Sequence, residues 1–283
     1  MRQLNDLGRE RDTMQTVKKL SSAFEGIASM HISQIKDQVL SSQAFFGELW
    51  QIYSQIRVDQ SFHFGRSQSR VKPNNKELII LVTAEGSFSG DVDQRVMAAM
   101  LNYYKPDLHD IIVIGHHGSV QLAQRNISYA RDFKLPQSDR NINVMPLIQE
   151  IQKYASTTAF YPTYISLMNQ DVRHIKLSTE VGEWGKNVAK SNEMISESNY
   201  IFEPSVRAVV DHLESSMMQI MLSQIILESK LAQYASRFQA MHIARDKAND
   251  SYSSLATLYN QAKRHYKDER LKEVLNGLRK AGV

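Results

Sequence analysis

Glycine-rich turns, paired histidines and a basic tail are the residues here whose types could do chemistry. Gly86-Ser-Phe-Ser-Gly90 follows an apolar run and precedes a helical stretch, the place of a phosphate-binding turn. It has neither the G-x-G-x-x-G spacing nor the Gly-Lys-Ser/Thr of a P-loop, and it reads as a tight strand–helix turn. In Gly182-Glu-Trp-Gly185-Lys186 the glycine gap is wrong, and Asn187 stands where magnesium needs a hydroxyl. His116 and His117 are adjacent, so they point in different directions and make a poor ligand pair. No glutamate sits at metalloprotease spacing, and the pair reads as a surface loop. There is no G-x-S-x-G. With no cysteine in the chain, disulfides, thiol catalysis and Cys-type zinc sites are excluded. The residues therefore support no active site: no catalytic residue, cofactor or metal is expected.

Charge points to partners instead. The net charge is +4 over 283 residues. The excess gathers in 263–283, where Lys263, Arg264, Lys267, Arg270, Lys272, Arg279 and Lys280 face Asp268, Glu269 and Glu273. Such a segment suits nucleic acid, anionic lipid or an acidic protein surface. It equally suits dipole compensation and solubility at a helix C-terminus. Tyr252, Tyr259 and Tyr266 recur at seven-residue spacing, a core or partner-facing stripe; base stacking would need a groove that a coiled coil does not offer.

The elements that position these residues are set by punctuation. All prolines lie between Pro73 and Pro204, and 205–276 contains neither Pro nor Gly. Both ends can therefore be long helices. From Val206, steps of four and three reach Val210, Leu213, Met217, Ile220, Gln224, Leu227, Leu231, Tyr234, Phe238, Met241, Arg245, Ala248, Tyr252, Leu255, Tyr259, Ala262 and Tyr266. Only Gln224 and Arg245 interrupt this apolar seam, the repeat of a left-handed coiled coil. At the other end Leu4, Leu7, Met14, Val17, Leu20, Phe24, Ile27, Ile35 and Val39 form a less regular stripe. That stripe is expected to pair antiparallel with the C-terminal seam.

Between the helices the period changes. Leu78–Val82 and Ile111–Ile114 read as buried strands, and Val92–Tyr104 and Val120–Arg125 as helices. A helical stretch follows Pro146, and Tyr161–Met168 with Val172–Leu177 reads as a hairpin around Asn169-Gln170-Asp171. The predicted fold class is a three-layer α/β domain with a mostly parallel sheet, plus a long antiparallel coiled coil forming a rod. Its parts are an N-terminal helix over 1–58, a linker over 59–76, the α/β domain over 77–200 and a C-terminal helix over 201–283. Thr179–Ser198 reads as a loop. No stretch approaches the length of a membrane span, and Met1–Arg11 is read as neither a signal nor a transit peptide.

Several segments resemble the gamma subunit of F-type ATP synthases. Arg237-Phe-Gln-Ala-Met241, Asp246, Leu255, Tyr259-Asn260-Gln-Ala-Lys263, Leu271-Lys-Glu273-Val274 and Gly277 are similar to its C-terminal helix, with R-x-x-A-M and Y-N-x-A-R. Phe202-Glu203-Pro204 with Asp211 resembles its Y-E-P segment, and Lys19-Leu20-Ser21-x-Ala23 its K-I-T-x-A-M stretch. Ile114-Gly115-His-His-Gly118 sits where the family has I-G-x-K-G. The resemblance covers nearly the whole chain. It departs at Ala84–Gly90, where the family has D-R-G-L-C-G-G and Glu85 reverses an arginine's charge, so the chain reads as a divergent member.

The resemblance implies a non-catalytic central stalk that couples ion flow through a membrane ring to nucleotide sites on other subunits. The implied partners are alternating alpha and beta subunits, an epsilon-like subunit and the membrane ring, not nucleic acid. Lys263, Arg264, Lys19 and Ser21 would contact the catalytic ring, and Glu203 the membrane-ring foot. The implied location is peripheral, on the cytoplasmic face of the cell membrane. A gamma-like paralogue acting as a mechanical scaffold uncoupled from ion flow is the alternative. A free-standing α/β binding domain with a helical dimerisation arm is the third reading.

Overall fold

A computed structural model describes residues 2–56, 74–86, 88–136, 142–177 and 201–280. The order is α1 (Arg2–Gln55), β1 (Asn74–Val82), α2 (Val92–Tyr103), β2 (His109–Ile114), α3 (His116–Gln124), β3 (Arg131–Phe133), α4 (Met145–Ile151), β4 (Tyr154–Ser166), β5 (Asn169–Lys176) and α5 (Val206–Lys280). The terminal helices hold 54 and 75 residues. The chain divides into two compact units, Ser29–Ser236 and Met1–Ala28 with Arg237–Val283.

In the larger unit the strands run in the order β3-β2-β1-β4-β5. β1 lies parallel to both β2 and β4, and β2 parallel to β3; β5 pairs antiparallel with β4. A central parallel strand is covered on both faces, which is why Leu78–Val82 is apolar throughout rather than alternating. Ile79 and Leu81, with Ile111, Val113 and Phe160, pack against Val96, Met97 and Met100 of α2 and Leu122 of α3. Leu78, Ile80 and Val82, with Ile112, Ile114 and Tyr161, pack against α4, Phe46 of α1, and Met217, Met218, Met221, Leu222, Ile225 and Ile226 of α5. The third layer of the α/β fold is thus supplied by parts of the terminal helices. Each of these β1 side chains is at most 1% exposed, worth roughly 1.5–3 kcal/mol apiece.

Differences from the sequence reading have local causes. β5 starts at Asn169, and the turn is Leu167–Met168, because Gln170 folds back to donate from Nε2 to the carbonyls of Ser166 (3.0 Å) and Leu167 (3.1 Å). α3 starts at His116, four residues before the expected point, because Gly115 at φ 101° brings the chain straight from β2 into the helix. An alanine there would carry its Cβ into the Thr83 carbonyl. Most of the expected linker and the expected loop at Thr179–Ser198 lie outside the described residues, as does Gly182–Lys186.

One acidic residue ties the sheet to α2. Glu77 of β1 accepts hydrogen bonds from the hydroxyls of Thr158, Ser156 and Tyr103, and lies 3.8 Å from His109 Nε2. Burial alone would raise this carboxyl, but the Thr158 and Tyr103 bonds, with Lys176 and His109 nearby, hold it below its ordinary value. A lowered folded value stabilises above the unfolded pKa and loses that contribution as pH falls. Glu77→Gln should therefore be less stable than the parent at pH 7 and converge with it below about pH 4.5. Urea midpoints at the two pH values test this; a gap unchanged by acid would contradict it.

Candidate functional site

In the smaller unit α1 and α5 run antiparallel, shown by a ladder of contacts. Tyr259 packs over Gly8, where an added Cβ would lie 3.4 Å from the ring, and Arg11 sits 4.6 Å from the same ring's centroid. Lys18 Nζ donates to Asn249 Oδ1 at 2.7 Å. Glu25 receives Arg245 on both carboxylate oxygens, at 2.7 and 3.0 Å, and lies 3.0 Å from His242 Nδ1. Arg245 also donates to Asp246. Those hydrogen bonds, led by Asp246, raise Arg245 above its ordinary value, with the Glu25 charge in the same direction.

The expected α5 seam is present here. Met241 and Ala248 are buried, and Arg245, Tyr252, Leu255, Tyr259, Ala262 and Tyr266 are half-buried among exposed neighbours. The expected α1 stripe holds only in part: Leu4, Leu7 and Met14 are half-buried, but its middle is turned outward. Val17, Leu20, Phe24 and Ile27 are 37–54% exposed, while Lys18, Ser21, Glu25 and Ala28 face α5. The hydrophobic pattern lost because the charged groups in this seam have designated partners on α5, Lys18 on Asn249 and Glu25 on Arg245 and His242. A signal was available: Leu4, Leu7, Arg11, Met14, Lys18, Ser21, Glu25, Ala28, Ile32, Ile35 and Val39 follow one unbroken three–four step. Continuing that step past Met14, instead of jumping to Val17, finds Glu25 and Lys18.

The expected contact residues are scattered. Lys19 is exposed on α1. Lys263 and Arg264 are exposed on α5, Lys263 Nζ standing 6.0 Å from the Tyr259 ring centroid. One turn beyond Tyr259, Lys263 is level with the first turn of α1, some ~20 Å along the pair from Lys19 at about 1.5 Å per residue. Ser21 is only 5% exposed and lies inside the seam, so it is not on the surface the other three offer. Glu203, in the larger unit, is exposed just before α5, whose first turn is capped by Ser205 Oγ accepting from the Ala208 N–H.

The turn after β1 is closed by the chain's own acids. Asp93, 3% exposed, accepts from the Ala84 N–H (3.0 Å) and the Ser89 hydroxyl (2.9 Å), and lies 2.8 Å from His117 Nδ1. Glu85 Oε2 accepts from the His116 and Leu135 N–H groups, both at 3.2 Å. Ser236 of α5 donates to the Ser89 carbonyl at 2.7 Å. The α3 N-terminus thus holds the Glu85 carboxylate already, and Asp93 places a second negative charge in the first turn of α2. Instead of a surface loop, His116 and His117 form the first turn of α3. Among the described residues no three His, Cys, Asp or Glu side chains gather as a metal site.

Comparison with known proteins places these features. The family model described as ATP synthase matches residues 3–279. The ATP synthase gamma chain of Mycoplasmoides gallisepticum is 23% identical, covering 99% of this chain and 100% of its own length. That of Halothermothrix orenii is 21% identical with 98% of each covered. Among solved structures, a chain of the Euglena gracilis mitochondrial ATP synthase OSCP/F1/c-ring assembly aligns with TM-score 0.63 at 12% identity, over 97% of this chain and 94% of that one. A chain of the same organism's ATP synthase rotor gives 0.61 at 12% identity, over 93% and 99%. At that identity the likeness is one of fold.

The carboxylate knot at Asp93 makes a direct prediction. Asp93→Ala leaves the buried Ala84 N–H and Ser89 hydroxyl without their acceptor, at a cost of about 2–4 kcal/mol. Thermal unfolding of the full chain should show a clear loss, and a change within about 0.5 kcal/mol would refute the knot's role.

Proposed function

The chain belongs to the ATP synthase family, and from that membership we infer that it serves as the gamma subunit, the central stalk of a rotary F-type ATP synthase. It is a non-catalytic subunit. The observation that carries the reading is the end-to-end match to gamma chains. Its partners are the alternating alpha and beta subunits, an epsilon-like subunit and the membrane ring. No described helix is long and apolar enough to cross a membrane, which fits a peripheral subunit; we place it on the cytoplasmic face of the cell membrane.

The work of such a subunit is mechanical. A stalk biases nucleotide sites on other chains only if it touches them differently at each angle. The terminal helix pair supplies that asymmetry. Its α1 side turns Val17, Leu20 and Ile27 outward, and between Thr13 and Gln34 the exposed charge on that helix is Lys19 alone among the described residues. Its α5 side is dense in charge, with Lys263 and Arg264 exposed near the helix end. Lys263, Arg264 and Lys19 are assigned to contacts with the catalytic ring, and Glu203 to the foot on the membrane ring. Ser21 takes a different part, as a small side chain that lets the helices approach.

Alone, the chain should hydrolyse no ATP; mixed with its alpha and beta subunits it should restore a coupled enzyme. Lys263→Glu with Arg264→Glu should lower coupled turnover roughly tenfold, as reversed interface charges do, with helix content unchanged. Full coupling in the double variant would remove these residues from the contact, and failure of the chain to join any alpha–beta ring would remove the stalk reading.

A further inference from the structure

α1 carries two candidate seams side by side. One is apolar: Val17, Leu20, Phe24, Ile27. The other, each member one residue later, is Lys18, Ser21, Glu25, Ala28. A turn of the helix by one residue, about 100°, exchanges them. The hydrophobic effect alone favours the first facing inward. The structure shows the second inward and leaves Val17, Leu20 and Ile27 at 37%, 54% and 47% exposure.

We propose that Glu25, gripped by Arg245 and His242, is the positioning residue that sets which face of α1 the terminal helix pair turns outward. Glu25 is 12% exposed and takes two bonds from Arg245 Nη1, while His242 and Arg245 Nη2 lie 3.0 Å apart beside it. Asp246 completes the cluster, 3.0 Å from Arg245 Nη2 and 3.5 Å from His242 Nε2. Lys18 on Asn249, two turns toward the N-terminus, repeats the arrangement in the same register. The pair is half-buried, so it adds little net stability, but removing one partner leaves the other's charge unpaired in the seam. That asymmetry makes it a device of register, as a single polar residue is in a coiled-coil seam. With the pair intact, the inward seam is fixed and the apolar stripe is held outward. The consequence for the catalytic ring rests on the central-stalk reading: the lock presents an apolar, nearly uncharged helix face on one side of the rod.

The chain's lack of cysteine makes helix facing directly readable. In the full-length chain, Ser21→Cys with Ala248→Cys reports the observed facing, and Leu20→Cys with Ala248→Cys reports the alternative. The first pair, whose Cβ atoms point at each other, should form a disulfide roughly tenfold faster than the second. In a Glu25→Lys background, which sets like charges against each other, that preference should collapse. In Glu25→Lys with Arg245→Glu, which restores the pair with signs exchanged, it should return. An unchanged preference in the Glu25→Lys background overturns the proposal. So does a preference that stays lost in the exchanged pair, since loss of folding alone would explain it. Binding of the same reduced variants to an alpha–beta ring reads the stalk assignment separately. If the facing follows the charges while even the parent chain fails to bind the ring, the stalk reading falls and the lock stands.

Discussion

The packing of α5 on β1 is the constraint on which the larger unit depends. β1 is the middle strand, so both of its faces must be covered. α2 and α3 cover one; Met217, Met218, Met221, Leu222, Ile225 and Ile226 supply much of the other. A helix used this way is enclosed on more than one side, and its middle third shows it. Gln224, Ser229, Lys230, Gln233 and Ser236 are all 5% exposed or less, yet each has work. Gln224 bonds Glu228, Gln233 bonds Ser229, Lys230 donates to the Pro136 carbonyl at 2.8 Å, and Ser236 holds the turn after β1. Lys230 and Ser236 tie loops to the helix that a purely apolar face would leave loose, while the two glutamines bond along the helix itself.

That enclosure explains why one helix was legible in part. From Met241 to Tyr266 α5 pairs with α1 among the described residues, and the three–four step finds its inward residues correctly. From Met217 to Ser236 almost every position is buried, so no single stripe describes it. Gln224 looks like an interruption in the sequence and is buried in the fold, its Nε2 bonded to Glu228. The strands were legible for the opposite reason. Leu78–Val82 and Ile111–Ile114 are continuous apolar runs that no exposed element would carry. β3, three residues long with Arg131 and Asp132 exposed, offers no such signal, and only its pairing with Ile112–Ile114 makes it a strand. The near half of β4, residues 154–160, was similarly out of reach of pattern and is a strand through its parallel pairing with β1, whereas the far half, from Tyr161, was legible as one arm of the hairpin with β5.

The misread stripe on α1 belongs to a third category. Val17, Leu20, Phe24 and Ile27 are apolar at helical spacing, and such a stripe ordinarily faces a core. What overrides it is information held more than two hundred residues away, in Asn249, Arg245 and His242. Propensity and periodicity are properties of one segment; a salt bridge across two helices is a property of a pair. Of the residues expected to meet other subunits, Lys19, Lys263 and Arg264 are exposed because charge on a helix surface is the default, whereas Ser21 is inside because a small side chain is what a close helix pair accepts.

Glu85 shows how the same distinction bears on divergence. Read along the chain, an acid in place of the family's arginine looks like an altered outer surface. In the fold its carboxylate receives the His116 and Leu135 N–H groups, joining the turn after β1 to the start of α3 and the segment after β3. Each of those donors would otherwise need an acceptor from solvent or a partner. The exposed acid is therefore also a tie within the domain, and with the buried Asp93 it places the chain's own negative charges at the carboxyl end of the central strands. Negative charge gathered there repels an anion, and the two carboxylates spend their oxygens on the chain's own N–H and hydroxyl donors.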